Sequence, residues 1–225
     1  MDILYEDNHL LVVNKPHGQL VQGDQTGRET LLDDGKAWLK QKYDKPGNVF
    51  LALVHRLDRL ASGVVVLART SKAASRLSDE IRSHRAKKMY WAKVEGTTEE
   101  AGSWIDRIQR KEYASRIVAE PEGQEARLRY QRLDVVNEVS TVAVELETGR
   151  HHQIRVQFAH RGHPILGDTR YGARRPFSED AIALHCQTMQ VKHPTQDEIM
   201  TFTVEPSVTW GMDTVTQTSS PQPSQ

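Results

Sequence analysis

The chain has 225 residues, 37% of them hydrophobic, enough to bury a core of its own and unlike a fibrous or wholly disordered polypeptide. Lysine plus arginine and aspartate plus glutamate balance at 30 each, so net charge names no partner, and no apolar stretch approaches the ~18 residues needed to span a bilayer. The single cysteine, Cys186, excludes an intramolecular disulfide and paired zinc-site thiolates, and the N-terminus lacks the pattern of an export signal, so a soluble cytoplasmic protein is expected.

From Ile3 to Pro16 the residues read as two short strands about a polar turn, ended by the proline. Leu31, Leu32, Trp38, Leu39 and Tyr43 mark an amphipathic helix with Thr30 as its cap. Val64 to Leu67 is a β-branched run of buried-strand type, and Thr70 or Ser71 caps a second helix with Ala73, Ala74, Leu77 and Ile81 on one side. Met89 to Val94 reads as a strand closed by Gly96, and alternation gives further strands in 126–133 and 141–146. A third helix is expected from about His151 to Arg161, stopped by Gly162, with a turn from Gly162 to Gly167 carrying the chain over a cleft. Leu184-His185 and 201–204 are short strand candidates. Many strands with few helices, lacking regular βαβ alternation, indicate an α+β domain over residues 1–210. Residues 211–225, which from Thr214 onward are all Thr, Ser, Gln and Pro apart from Val215, are expected to be a disordered tail.

Charge is unevenly spread. Acids gather at Asp33-Asp34, Glu99-Glu100 and Glu120 to Glu125, whereas the stretch from Arg69 to Lys93 is strongly basic, as is a second run from Arg150 to Arg175. Such a distribution polarises a neutral protein for phosphates; each run by itself reads equally well as a solvated helical face.

Four blocks carry the chemistry: Asn14-Lys15-Pro16-His17-Gly18; HRLDRLASG from His55 to Gly63; Lys88-Met89-Tyr90; and Gly149 to Arg155 with Gly162 to Asp168. In this order, over about residues 2–205, they resemble the RluA-type family of RNA pseudouridine synthases, the HRLD-x-x-x-SG core being the most specific part. The resemblance implies an α+β catalytic domain around a long mixed, mostly antiparallel sheet flanked by helices. Its central cleft would take a flipped-out uridine of ribosomal RNA or tRNA, without metal or organic cofactor. Three departures stand out. Ala61 replaces the usual Thr before Ser-Gly, Gln157 replaces the last His of the HQIR-x-x block, and the catalytic motifs begin without the small RNA-binding domain many members carry ahead of them.

By the same resemblance, Asp58 is the catalytic carboxylate. Pseudouridine formation breaks the C1′–N1 bond, rotates the uracil and rejoins it through C5. An ionised carboxylate suits that step as a nucleophile or as a stabiliser of the sugar cation, and sequence leaves both routes open. Arg155 matches the arginine that pairs with it, and Tyr90 the tyrosine against the target base. Arg56 matches the residue that fills space or touches phosphate when the base flips; Lys15, Lys88 and Arg150 are further phosphate candidates, and His55 and His152 are expected to hydrogen-bond backbone or RNA. Read alone, Asp58 between Arg56 and Arg59 is an ion-pair residue, Tyr90 a packing aromatic and Arg155 a solvated helix residue. His151, His152, His160, His163 and His185 show no metal-site spacing, and a nucleosidase would need a second motif-supported carboxylate. A monomer acting on RNA is therefore expected, with neither membrane nor metal.

Overall fold

A computed structural model describes residues 1–23, 27–207 and 210; the expected tail at 211–225 lies outside them. The chain opens with β1 (Asp2–Glu6) and β2 (Leu10–Lys15), paired antiparallel. Asp7 makes the turn between them, its Oδ1 accepting from the amides of His9 at 2.7 Å and Leu10 at 2.6 Å. Helix α1 (Leu31–Lys42) starts where the Thr30 side chain accepts from the Asp33 amide, with Asp33 and Asp34 in its first turn and Lys40 and Lys42 in its last, the order the helix dipole favours. The short β3 (Ala52–Leu53) and β4 (Ser62–Ala68) follow, then α2 (Ser71–Arg82), where Thr70 rather than Ser71 is the cap.

The second half is β5 (Lys87–Glu95), a hairpin of β6 (Ala101–Lys111) and β7 (Ala114–Val118), then β8 (Gln124–Val136), β9 (Val139–Leu146), α3 (Gln153–His160), β10 (Leu184–Lys192) and β11 (Ile199–Thr203). One sheet holds all eleven strands in the order β1-β2-β4-β10-β5-β9-β8-β6-β7, with β3 on β4 and β11 on β10. Every strand pair is antiparallel except β4 with β10, so the expected mixed, mostly antiparallel sheet is what forms.

The parallel junction explains the Ser-Gly of the HRLD block. Gly63 sits opposite Cys186 with φ +112°, and a Cβ there would overlap the Cys186 backbone. Only glycine lets the two strands close. From there β4 runs buried along its whole length, which is why Val64 to Leu67 shows no alternation.

The hairpin β6–β7 was not visible in the sequence. Its strand AGSWIDRIQRK is exposed or half-buried except at Ile108, which packs with Ala126 and Val156 in a small cluster of its own. Strand β10 is longer than its two expected residues because Gln187, Thr188 and Gln190 mask it, although it lies between β4 and β5. The Gly162–Gly167 turn does not cover the cleft. It runs beside β5, with Leu166 donating to the Lys93 carbonyl at 3.0 Å, and leads to Asp168.

Candidate active site

Residues Val54 to Leu60 cross from β3 to β4 as an irregular segment, turned by an Ala61 amide that donates to the Asp58 carbonyl at 3.1 Å. This places Asp58, 25% exposed, on a cleft of about 510 Å³ that Arg56, Lys88, Tyr90, Arg150, His152 and Arg155 also line. The volume suits a single base with its sugar.

Helix α3 brings in Arg155, only 3% exposed, whose Nη1 donates to Asp58 Oδ2 at 3.1 Å. The sequence did not reveal what holds the arginine itself. Its Nε and Nη2 donate to the two oxygens of Asp168 at 2.7 and 2.8 Å, and its guanidinium lies 5.0 Å from the Tyr171 ring centre. Burial would lower the Arg155 pKa, but the Asp168 hydrogen bonds and the charge of Asp58 hold it above its ordinary value. A permanently charged, two-point-anchored arginine thus orients Asp58.

His152 stands at the start of α3 in the left-handed conformation, φ 53°, its Nε2 3.7 Å from Asp58 Oδ1. Its ring stacks on that of His151 at 3.8 Å and 20°, and its Nδ1 lies 2.9 Å from the Tyr171 hydroxyl. Burial pushes the His152 pKa down to about 3 against the pull of Asp58, so the ring is neutral.

Tyr90, on β5 opposite Cys186, is 6% exposed, and burial first, then Cys186 and Asp58, raises its phenol well above the ordinary value. It forms a wall of the cleft as an un-ionised phenol. Lys88 lies two residues earlier on the same strand; burial lowers its pKa, and no hydrogen bond or ion pair neutralises it among the described residues. Arg56 is exposed at the rim, likewise without a side-chain partner among the described residues. Arg150 lines the cleft with its Nε on the Glu125 carbonyl at 2.8 Å.

Burial corrects the phosphate contact expected of Lys15, and of the two partners expected for His55 the structure supplies backbone. Lys15 is fully buried, and its ammonium donates to the carbonyls of Pro16, Gln19 and Arg59 at 2.8, 2.9 and 3.1 Å. It ties the start of the chain to the segment that carries Asp58 and is sealed from phosphate. Burial lowers its pKa to about 7, opposed by Asp58. His55 lines the cleft, but its Nε2 accepts from the Val66 amide at 2.9 Å, and burial, aided by Lys88, lowers its pKa to about 3. It is a neutral acceptor for β4. Arg59 pairs with Asp180 at 2.8 Å, which accounts for the second arginine beside Asp58.

The remaining departures and histidines have local partners. Ala61 is buried beside Asp58, and Gln157 donates to Asp106 at 2.6 Å, which Arg161 also holds. His185 bridges Ser62 and the Val204 carbonyl at 2.8 Å each, and His163 meets the Glu95 carbonyl at 2.8 Å.

The model of the family described as RNA pseudouridylate synthase matches residues 9–160. The chain belongs to that family. Among curated relatives of this pseudouridylate synthase family member is the ribosomal large subunit pseudouridine synthase C of Vibrio parahaemolyticus, 32% identical over 205 residues that cover 88% of this chain. The chain spans 63% of that relative's length. The dual-specificity RNA pseudouridine synthase RluA of Haemophilus ducreyi is 30% identical over 224 residues, covering 92% of this chain and 94% of that one. Among solved structures, human RNA pseudouridylate synthase domain containing 4 superposes with a TM-score of 0.75 over 91% of this chain and 88% of its own at 24% identity, a likeness of fold.

Proposed function

We propose that this protein is an RNA pseudouridine synthase that isomerises uridine in structured RNA, ribosomal RNA or tRNA, with Asp58 as the catalytic carboxylate. The observation that carries this reading is Asp58 itself: a partly exposed carboxylate on a cleft of one-nucleotide size, held at one oxygen by the buried Arg155 and walled by Tyr90. Membership of the family and the printed activities of the two curated relatives support it.

The chemistry follows from the geometry. Arg155 holds and aims Asp58, as a group that attacks the uridine or stabilises its sugar cation must be held. Tyr90 offers a flat ring for the uracil, and its raised pKa keeps the phenol protonated while the base rotates. Arg56 and Lys88, cations of the cleft that are unpaired among the described residues, would meet the phosphates flanking an extruded nucleotide. No helix among the described residues is long and apolar enough to cross a membrane. The protein is proposed to act as a cytoplasmic monomer, in keeping with its single unpaired cysteine.

The test is Asp58→Asn, which keeps the shape and removes the charge. Expected is the loss of pseudouridine formation on total RNA with RNA affinity retained; pseudouridine at the wild-type level in this variant refutes the assignment.

A further inference from the structure

Ser115, at the start of β7, meets His151 directly and reaches His152 through Tyr171, and counting protons along each route points to a tautomer. On the first route the Ser115 amide donates to the Tyr171 hydroxyl oxygen at 2.7 Å. The phenol has one proton of its own, and its other hydrogen-bond partner among the described residues is Nδ1 of His152 at 2.9 Å. Donation of that proton to Nδ1 satisfies both atoms at once. A neutral imidazole carries one N–H, so in His152 it sits on Nε2, the atom 3.7 Å from Asp58 Oδ1.

On the second route the Ser115 hydroxyl donates its only proton to the His151 carbonyl at 2.6 Å. Its 2.9 Å contact with His151 Nδ1 must then run the other way, from Nδ1–H to the hydroxyl oxygen. The Nε2 of His151 is left as a bare lone pair on a half-buried ring that lines the cleft.

We propose that Ser115 and Tyr171 lock the stacked pair His151 and His152 in opposite tautomers, so that the cleft receives a hydrogen-bond acceptor from His151 and Asp58 faces an N–H from His152. His152 is then a positioning residue: Arg155 holds one oxygen of Asp58, and the His152 N–H limits the swing of the other. The His151 lone pair suits a donor on the substrate, a ribose hydroxyl or the imide N–H of uracil. A cationic His152 would add a second charge beside Arg155 and draw Asp58 away from the cleft; the neutral, oriented ring avoids that.

The functional part rests on the pseudouridine synthase reading; the tautomers do not, and the experiment separates the two. Long-range proton–nitrogen spectra of histidine-labelled full-length protein without RNA report which ring nitrogen bears the proton. Expected are Nδ1–H for His151 and Nε2–H for His152, with Tyr171→Phe, which keeps the ring over Arg155, releasing His152 to a mixture. The opposite tautomer in either ring, or a His152 signal unchanged in Tyr171→Phe, overturns the proposal. In steady-state assays His152→Ala should lower kcat about tenfold with KM within about twofold, while His152→Gln, whose amide can still donate, recovers most of it. Equal kcat in the two variants overturns the positioning role. A fully active Asp58→Asn would instead refute the functional reading and leave the spectra to judge the tautomers.

Discussion

Arg155 and Asp168 form a two-point ion pair at 2.7 and 2.8 Å, with 3% and 1% of their side chains exposed, and Asp58 takes the guanidinium nitrogen that this pair leaves over. The proposed catalytic carboxylate is therefore positioned by a residue that is itself positioned by a second, buried carboxylate. Desolvating such a pair is costly, and its geometry matters more than its net contribution to stability.

Asp168→Asn should accordingly cost more than a surface change. It removes the charge that keeps Arg155 compensated, and breaking one partner of a buried pair costs about 3–5 kcal/mol. A urea melt should show that loss together with reduced pseudouridine formation; a variant as stable and as active as the parent would mean that Arg155 is held by something else.

Arg155→Lys preserves the charge but replaces a fork by a point, so one ammonium cannot hold both carboxylates at their observed angles. We expect kcat to fall by about two orders of magnitude or more, with RNA affinity within about twofold. Equal losses in kcat and affinity would show that Arg155 acts on RNA rather than on Asp58.

Acid should destabilise the protein from about pH 6.5 downward. His55 has its folded pKa at about 3, below the ~6.5 of an unfolded histidine, so between these values the unfolded chain binds the extra proton. Its contribution is intact above pH 6.5 and is lost as pH falls toward 3, at up to about 1.4 kcal/mol per pH unit. His152, with its folded pKa also at about 3, adds in the same direction. The stability slope between pH 6.5 and 4 should flatten in His55→Gln, and an unchanged slope would assign the acid sensitivity elsewhere.

Gly63→Ala combines a φ of +112° with an overlap on the Cys186 backbone. The dihedral alone costs about 1–3 kcal/mol, and separating β4 from β10 adds to it. The melting temperature should drop sharply or the protein fail to accumulate; a stable variant would show that the parallel junction can shift.

Arg56→Gln and Lys88→Gln should each weaken RNA binding and reduce the slope of log affinity against log salt by about 1, since each cation lacks a protein partner among the described residues. Arg82 and Arg85, equally basic in sequence, should matter less. Asp79 and Glu80 hold them at 2.7–3.1 Å on α2. An unchanged slope in the Lys88 variant would remove it from the phosphate path.

Sequence by itself determined what local patterns carry: the cap at Thr30, the start of α2 at Thr70 or Ser71, the first hairpin, the buried run of β4, the helix leading from His151 to Arg161, and the α+β class. It also placed Asp58, Tyr90 and Arg155 in one site, because the motif order stands in for distances across the chain. What only the tertiary structure decided are matters of burial and long-range pairing. Lys15 looked like a free cation beside a proline and is sealed by three carbonyls, one of them contributed by Arg59, 44 residues away. Asp168 closed the fourth motif block without an assigned role and anchors the arginine that holds Asp58. The β6–β7 hairpin carries too little apolar alternation to be read, since its order comes from ladder partners, and with it went Ser115 and its hold on His151 and His152. Periodicity reports which side of an element faces the core; it cannot report which charged groups lose water together, because that depends on chain segments meeting from far apart.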